Sequence, residues 1–135
     1  MKRLFLVLFV FGFISCSADK KQQDKELIEQ MERSTLSDVK VISYEKADSL
    51  INGYLNYVKN YPEDSLCATY LYRAADVYAN TKRCIESIKT YDRLIAEYPD
   101  NVLVESAYFL KGIVFSQTCL NKEKAAEAFT LFIEK

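Results

Sequence analysis

Apolar side chains recur every three or four residues between residues 43 and 61. The recurring positions are Ala47, Leu50, Ile51, Tyr54, Leu55, Val58 and Tyr61. This spacing places them on one face of a helix for about four turns. Pro62 ends the pattern, because proline has no N–H to donate and disfavours helix at the residue before it. The segment therefore predicts an amphipathic helix.

The same pattern returns 37 residues later. The Tyr61-Pro62 step recurs as Tyr98-Pro99, and the residues of the two helices that this shift aligns are Ile51 with Ile88, Tyr54 with Tyr91 and Val58 with Ile95. Another helix is expected to run from residue 66 to Asn80, capped by Asp64 or Ser65. The turn between residues 80 and 83 is short enough to make the next helix antiparallel to it. Residues 66–99 therefore predict a two-helix hairpin.

A second hairpin follows, with a turn one residue longer. Its residues Tyr108, Gly112 and Phe115 repeat Leu71, Ala75 and Tyr78 at 37, while Ala125, Phe129 and Phe132 repeat Ser87, Tyr91 and Leu94 at 38. Asn101 is the expected cap. The small residues Ala75 and Gly112 indicate places where two helices cross closely, with a Tyr or Phe ring filling the remaining space. Gly53, inside the first helix, costs up to about 1 kcal/mol unless it allows a neighbour to approach closely.

This pattern resembles the tetratricopeptide repeat, a family of stacked helix hairpins. The residues that fit are Leu71, Ala75, Tyr78, Ser87, Tyr91 and Pro99, whereas Ala74, Leu94 and Lys111 depart from the family's usual residues. The resemblance implies an all-α, right-handed stack of antiparallel hairpins over residues 43–135, within a helical domain of residues 25–135. Since the last repeat lacks its proline and a terminal cap, we expect a chain truncated at its C-terminus. The alternative is that another molecule covers the last apolar face.

By the same resemblance, the first helix of each hairpin lines a concave groove. The residues that would line it are Thr69, Tyr72, Asp76, Asn80, Ser106, Phe109, Ile113 and Gln117. Such a groove can hold an extended peptide or a helix of a partner protein. The alternative is a solvated face without a ligand. The tyrosines at helical spacing, including Tyr54, Tyr78 and Tyr91, are expected to pack in the core.

The N-terminus has the pattern of an export signal. Lys2 and Arg3 precede twelve uncharged residues, which are too few for a membrane span of about 20 residues. Residues 1–15 therefore predict a signal peptide. Ser15 and Cys16 resemble the end of a lipobox, although Phe13 and Ile14 are not its usual residues, so Cys16 is the predicted lipidation site, carrying palmitate or similar chains. An ordinary cleaved signal and an uncleaved anchor are the alternatives.

Residues 16–24 predict a lipidated N-terminus and a flexible tether, because this segment is rich in Lys, Gln and Asp. The pair Lys20-Lys21 could touch anionic headgroups, but a solvated tether is the preferred interpretation. From Lys25 a short helix is expected to run to about residues 34–37 and to cover the next helix. Ser17 after Cys16 is compatible, by resemblance to enteric lipoproteins, with an outer-membrane location facing the periplasm.

Composition restricts the chemistry. The 135 residues are 50% hydrophobic, which suits one folded domain, and without Lys2 and Arg3 the net charge is about −3, which does not favour nucleic acid. There is no histidine, no CxxC pair and no glycine-rich phosphate loop. We therefore predict no enzyme, no catalytic residue, no metal, no cofactor and no small-molecule substrate. An enzyme using carboxylates such as Asp76 and Glu105 is the remaining alternative.

The cysteines beyond Cys16 suggest one disulfide. Cys84 opens a second helix and Cys119 closes the following first helix, so that antiparallel packing can bring the two side by side. Cys67 lies at the other end of its hairpin, about 20 Å from Cys84 by helix rise. If a bridge forms in an exported protein, it joins Cys84 to Cys119. Otherwise these residues are small buried hydrophobes.

Together these features resemble a tetratricopeptide-repeat lipoprotein of the bacterial envelope, similar to the outer-membrane assembly lipoproteins that support barrel assembly. The predicted function is a membrane-anchored scaffold that binds an envelope protein or peptide. The alternative is a cell-wall or division-associated adaptor that recruits an envelope enzyme.

Overall fold

The computed structural model of the chain describes residues 11–36 and 42–134. These residues form six helices: α1 (Phe11–Leu36), α2 (Tyr44–Asn60), α3 (Cys67–Asn80), α4 (Cys84–Glu97), α5 (Leu103–Gln117) and α6 (Lys122–Ile133). No strand occurs within these two ranges, which confirms the all-α prediction. Residues 1–10, and with them most of the predicted signal peptide, lie outside the described residues.

Each helix packs against the next one in the chain, and α3 also contacts α5. Paired contacts give the relative directions. Asp92 on α4 forms an ion pair with Lys111 on α5, while Cys84, one end of α4, is bonded to Cys119, just after the far end of α5. The earlier residue of α4 therefore meets the later residue of α5, so the two helices are antiparallel. The predicted hairpin of α3 and α4 is also formed.

The 37-residue repeat is present in the backbone as well as in the side chains. Tyr61 ends α2 with φ −135° and ψ 55°, and Tyr98 ends α4 with φ −133° and ψ 56°. In the loop after Tyr61, the carboxylate of Asp64 accepts the Leu66 N–H at 2.8 Å. The repeat equivalent, Asn101, accepts the N–H two residues ahead of it at 3.0 Å. The chain thus turns from one hairpin to the next in the same way twice.

The turns inside the hairpins also repeat, with one residue inserted. Lys82 has φ 63° in the first turn and Leu120 has φ 56° in the second, and a backbone N–H after each closes the turn on the preceding helix. In the first turn the donor is Arg83 and the acceptor Tyr78, at 2.9 Å, whereas in the second they are Asn121 and Phe115, at 2.8 Å. The first bond spans five residues and the second spans six, which confirms the predicted insertion.

Four tyrosines form the core where α2 meets α3. The ring of Tyr57 lies 4.8 Å from that of Tyr70 and 4.8 Å from that of Tyr61, and Tyr54 stacks on Tyr70 at 5.3 Å. Tyr54 and Tyr57 are almost completely buried. The prediction that tyrosines at helical spacing pack in the core is confirmed: Tyr54 and Tyr91 are buried, and Tyr61, Tyr78 and Tyr98 are partly buried against the core.

The N-terminal segment differs from its prediction. Residues 17–24 were expected to form a flexible tether, with a helix starting only at Lys25, but α1 is continuous from Phe11 to Leu36. The segment contains neither glycine nor proline, so nothing in it interrupts a helix, and contacts with α2 and with the loop after it hold the helix in place. No described helix combines the length and the apolar character that a membrane span requires.

Polar contacts hold α1 against the rest of the protein. Lys21 forms an ion pair with Asp64, and Asp24 accepts a hydrogen bond from the Tyr61 hydroxyl at 2.7 Å. Further along α1, Glu32 accepts from the Tyr54 hydroxyl at 2.6 Å and also pairs with Arg73. Among the apolar side chains described on this helix, Ile28 alone is fully buried. As expected, α1 covers α2, but it does so with few apolar contacts.

Two glycines let helices approach each other. A Cβ atom on Gly112 would lie 2.4 Å from the ring of Phe129 on α6, which confirms the predicted close crossing. A Cβ on Gly53 would meet the terminal methyl of Met31 on α1 at 2.5 Å. The two sites differ in their neighbour, because an aromatic ring cannot bend away whereas a methionine side chain can.

We predict opposite outcomes for alanine at these glycines. Gly112→Ala is expected to lower the free energy of unfolding by about 1–3 kcal/mol, because the added methyl overlaps the Phe129 ring. Gly53→Ala is expected to be neutral or stabilising by up to about 1 kcal/mol, since Met31 can move and alanine favours helix. Urea unfolding monitored by circular dichroism measures both. Equal effects of the two substitutions would contradict this explanation, and Phe129→Leu should partly rescue Gly112→Ala.

Candidate partner-binding surface

The eight residues predicted to line the groove lie on α3 and α5, which contact each other. They differ in exposure. Asn80, Ser106, Phe109 and Gln117 are exposed, whereas Thr69, Tyr72, Asp76 and Ile113 are half-buried.

Two of these residues bind within the fold. The carboxylate of Asp76 accepts a hydrogen bond from the hydroxyl of Tyr91 on α4. The ring of Tyr72 packs edge-on against the ring of Tyr91, with centroids 5.8 Å apart. Tyr72 and Asp76 therefore help to join α3 to α4, and they offer less to a partner than the resemblance implied.

The bond between Asp76 and Tyr91 is partly buried. Burial raises the pKa of Asp76 above its ordinary value, and the hydrogen bond from Tyr91 partly opposes this rise. Burial also raises the pKa of the Tyr91 hydroxyl, and the carboxylate of Asp76 adds to that shift. Tyr91 thus remains a neutral donor, and the charge on Asp76 is disfavoured by its surroundings.

Phe109 packs against α6 and is also partly exposed on the surface. Its ring lies 5.7 Å from that of Phe129 and 5.4 Å from that of Phe132, both on α6. It nevertheless keeps 42% of its surface exposed. Beside it, Ser106 and Gln117 are exposed on the same face of α5, so the α5 half of the predicted groove is the more accessible half.

A second open surface follows from the repeat itself. On α4, the strip of Ile88, Asp92 and Ile95 faces α5: Asp92 pairs with Lys111, and both isoleucines are partly buried against the core. One repeat later, a shift of 38 residues maps this strip onto Ala126, Thr130 and Ile133 of α6. All three are exposed, and Ile133 keeps 79% of its surface. We call these three residues the terminal seam. The missing cap predicts an uncovered last face, but the three residues that form it follow only from the shift of 38 residues.

A disulfide joins the two hairpins. Cys84 at the start of α4 is bonded to Cys119 just after α5, with Cα atoms 5.4 Å apart. This separation lies within the range that a disulfide allows. Cys67, at the other end of α3, is free and buried, and its thiol donates to the backbone oxygen of Tyr61 at 3.0 Å. Burial raises the pKa of this thiol.

The corresponding junction between α2 and the first hairpin uses charge instead. Asp48 on α2 pairs with Arg83, and these residues are 35 apart in the chain, as the two bonded cysteines are. The guanidinium of Arg83 also lies over the rings of Tyr44 and Tyr78, at 5.8 and 5.2 Å from their centroids. Neighbouring units are therefore held by an ion pair at one junction and by a covalent bond at the next.

The carboxylates of the alternative enzyme hypothesis occupy different environments. Asp76 is bonded to Tyr91 between α3 and α4, while Glu105 is exposed in the first turn of α5. Within residues 11–36 and 42–134, no group of three or more acidic or cysteine side chains could hold a metal ion.

Comparison with known proteins finds no matching family model. It also finds no similar curated protein and no similar solved structure.

We predict that the disulfide contributes strongly to stability. The double variant Cys84→Ser, Cys119→Ser should lose about 3–4 kcal/mol of unfolding free energy, because the bond restricts the unfolded chain over a separation of 35 residues. Urea unfolding without reductant measures the loss. Adding a thiol reductant should lower the stability of the original protein by a similar amount and leave the double variant unchanged. A double variant as stable as the original protein would contradict this prediction.

The raised pKa of Asp76 predicts a pH dependence with a definite sign. The pKa of Asp76 in the folded state is higher than its ordinary value of 3.8, so the folded state holds the proton more tightly than the unfolded state does. This contribution to stability is fully present below that pH and is lost as the pH rises through the folded-state pKa. Asp76→Asn should remove this loss, so the stability of the original protein relative to Asp76→Asn should fall as the pH rises above 3.8.

Tyr91→Phe should have the opposite effect on this profile. Removing the donor leaves the Asp76 carboxylate buried without that bond, which raises its pKa further and makes the decline with pH steeper. At neutral pH the loss should be about 1–3 kcal/mol. Tyr72→Phe is the matched control, because no described residue accepts a hydrogen bond from its hydroxyl, and it should change little. Parallel profiles for all four proteins would show that Asp76 does not titrate in this way.

Proposed function

We propose that this chain is a lipid-anchored, protein-binding scaffold of the bacterial envelope, built as a right-handed, tetratricopeptide-like stack. The observation that carries the proposal is the second occurrence, 37 residues later, of the same helix ending and the same side-chain-capped loop, at Tyr61 to Asp64 and at Tyr98 to Asn101. Repetition of a hairpin with its connections is the property that defines a stacked repeat protein.

The anchor is proposed from the sequence at the end of the apolar segment. Ser15 and Cys16 stand directly after that segment, and α1 continues from there into the stack. Several acyl chains would hold the protein at the membrane, since each buried methylene contributes about 0.8 kcal/mol. The remaining residues would then bind a protein partner rather than catalyse a reaction.

The partner is proposed to meet the α5–α6 end of the protein. The α5 half of the groove offers Ser106, Phe109 and Gln117, and the terminal seam adds Ile133 on α6. A helix at the seam, from a partner or from residues beyond position 135, would repeat the way in which α5 covers α4, with apolar residues over Ile133. By its resemblance to outer-membrane assembly lipoproteins, the chain would support barrel assembly.

Site-specific photo-crosslinking in intact envelopes tests this proposal. A photoreactive residue at Gln117 or at Ile133 should capture a partner, whereas one at Lys59, which is exposed on α2, should not. Barrel-assembly subunits in the adduct would support the proposed role, and wall hydrolases or synthases would instead support an adaptor for cell-wall enzymes. Cys16→Ala should release the protein from the membrane fraction and reduce the adducts at least about tenfold.

Two results would count against the scaffold. One is equal capture from Lys59 and from the α5–α6 positions, which would indicate random collision. The other is no capture from any position when the protein is present at normal levels in the membrane fraction.

A further inference from the structure

The direction of α1 determines where residue 16 lies relative to the stack. Near the middle of α1, Asp24 accepts a hydrogen bond from the hydroxyl of Tyr61, at the end of α2, at 2.7 Å. Eight residues later, Glu32 accepts from Tyr54, which lies further back along α2, at 2.6 Å. The two helices are therefore antiparallel, so residues 21–24 of α1 lie where α2 ends, and the helix continues from there back toward residue 16.

The loops between units share one edge of the protein. Tyr98, after α4, donates its hydroxyl proton to the backbone oxygen of Pro62, after α2, at 2.9 Å. We call residues 61–66 and 98–102 the loop edge. The opposite edge holds the turns within the hairpins and the Cys84–Cys119 bond, and the 14 residues of α3 separate the two edges by about 21 Å.

The proposed lipid site is close to the loop edge. Lys21 pairs with Asp64, which belongs to that edge. Residue 16 precedes Lys21 by five residues of continuous helix, or about 8 Å along the axis. An acyl group attached there therefore cannot move far from the loop edge while α1 stays docked.

We propose that the loop edge faces the lipid headgroups, so that the helices stand upright on the membrane and the stack extends along its surface. This inference rests on the proposed anchor at Cys16. Lipid chemistry rather than charge supplies the attraction, because the exposed loop-edge residues Glu63 and Asp100 are acidic and repel anionic headgroups. The groove and the terminal seam then face sideways, toward a partner standing in or on the same membrane.

Fluorescence quenching by headgroup-labelled lipid tests the orientation. The full chain, purified in lipidated form, is placed in vesicles of phosphatidylethanolamine and phosphatidylglycerol containing nitroxide headgroups. A fluorophore is attached at Glu63→Cys on the loop edge or at Glu45→Cys in the first turn of α2. Both positions are exposed glutamates, and residues 45 to 60 span about 22 Å along α2. Cys67 is buried and the other pair is bonded, so the unsubstituted protein gives the labelling background.

Quenching at position 63 should exceed quenching at position 45 by about threefold or more. Equal quenching, or stronger quenching at position 45, would overturn the orientation while leaving the anchor intact. Cys16→Ala protein should fail to bind these vesicles at all. If it binds them as well as the lipidated protein, or if the lipidated protein does not bind, then the anchor is wrong and the orientation falls with it.

Discussion

Two tyrosine hydroxyls in the core donate hydrogen bonds to carboxylates, and these bonds shape the contacts between the helices. Tyr54 on α2 and Tyr91 on α4 occupy equivalent positions, 37 residues apart, and both rings are buried. Each hydroxyl donates to a carboxylate on the preceding helix, Glu32 on α1 for Tyr54 and Asp76 on α3 for Tyr91. Leaving either donor without a partner would cost about 1–3 kcal/mol.

The last hairpin has no hydroxyl at the position equivalent to Tyr54 and Tyr91. Phe129 stands where the earlier units have tyrosine, and Ile113 stands where α3 has Asp76. Gly112 lets the phenylalanine ring approach α5 directly. Ile133 of this hairpin is exposed at the position where the preceding unit has the partly buried Ile95.

Local patterns in the sequence are enough to predict the hairpins, because helical periodicity, proline at helix ends and the 37-residue repeat can all be read within one or two helices. They also placed Cys84 near Cys119, since both cysteines lie at helix ends. The helix over residues 17–24 could not be predicted in this way, because it has no apolar periodicity and is stabilised by bonds to residues about 40 positions away. The sequence places Asp76 in the partner-binding groove for a related reason. Its hydrogen bond depends on Tyr91, which belongs to another helix.

The two kinds of junction give the protein a mechanical polarity. Tension applied at the N-terminal end would reach α1 first, which ion pairs and hydrogen bonds from tyrosines hold against the other helices. It would next meet the Asp48–Arg83 junction, which an electrolyte can weaken. The hairpins beyond it are crosslinked and cannot slide past each other. Under load the protein should therefore unfold first at its N-terminal end, while the α5–α6 end keeps its shape.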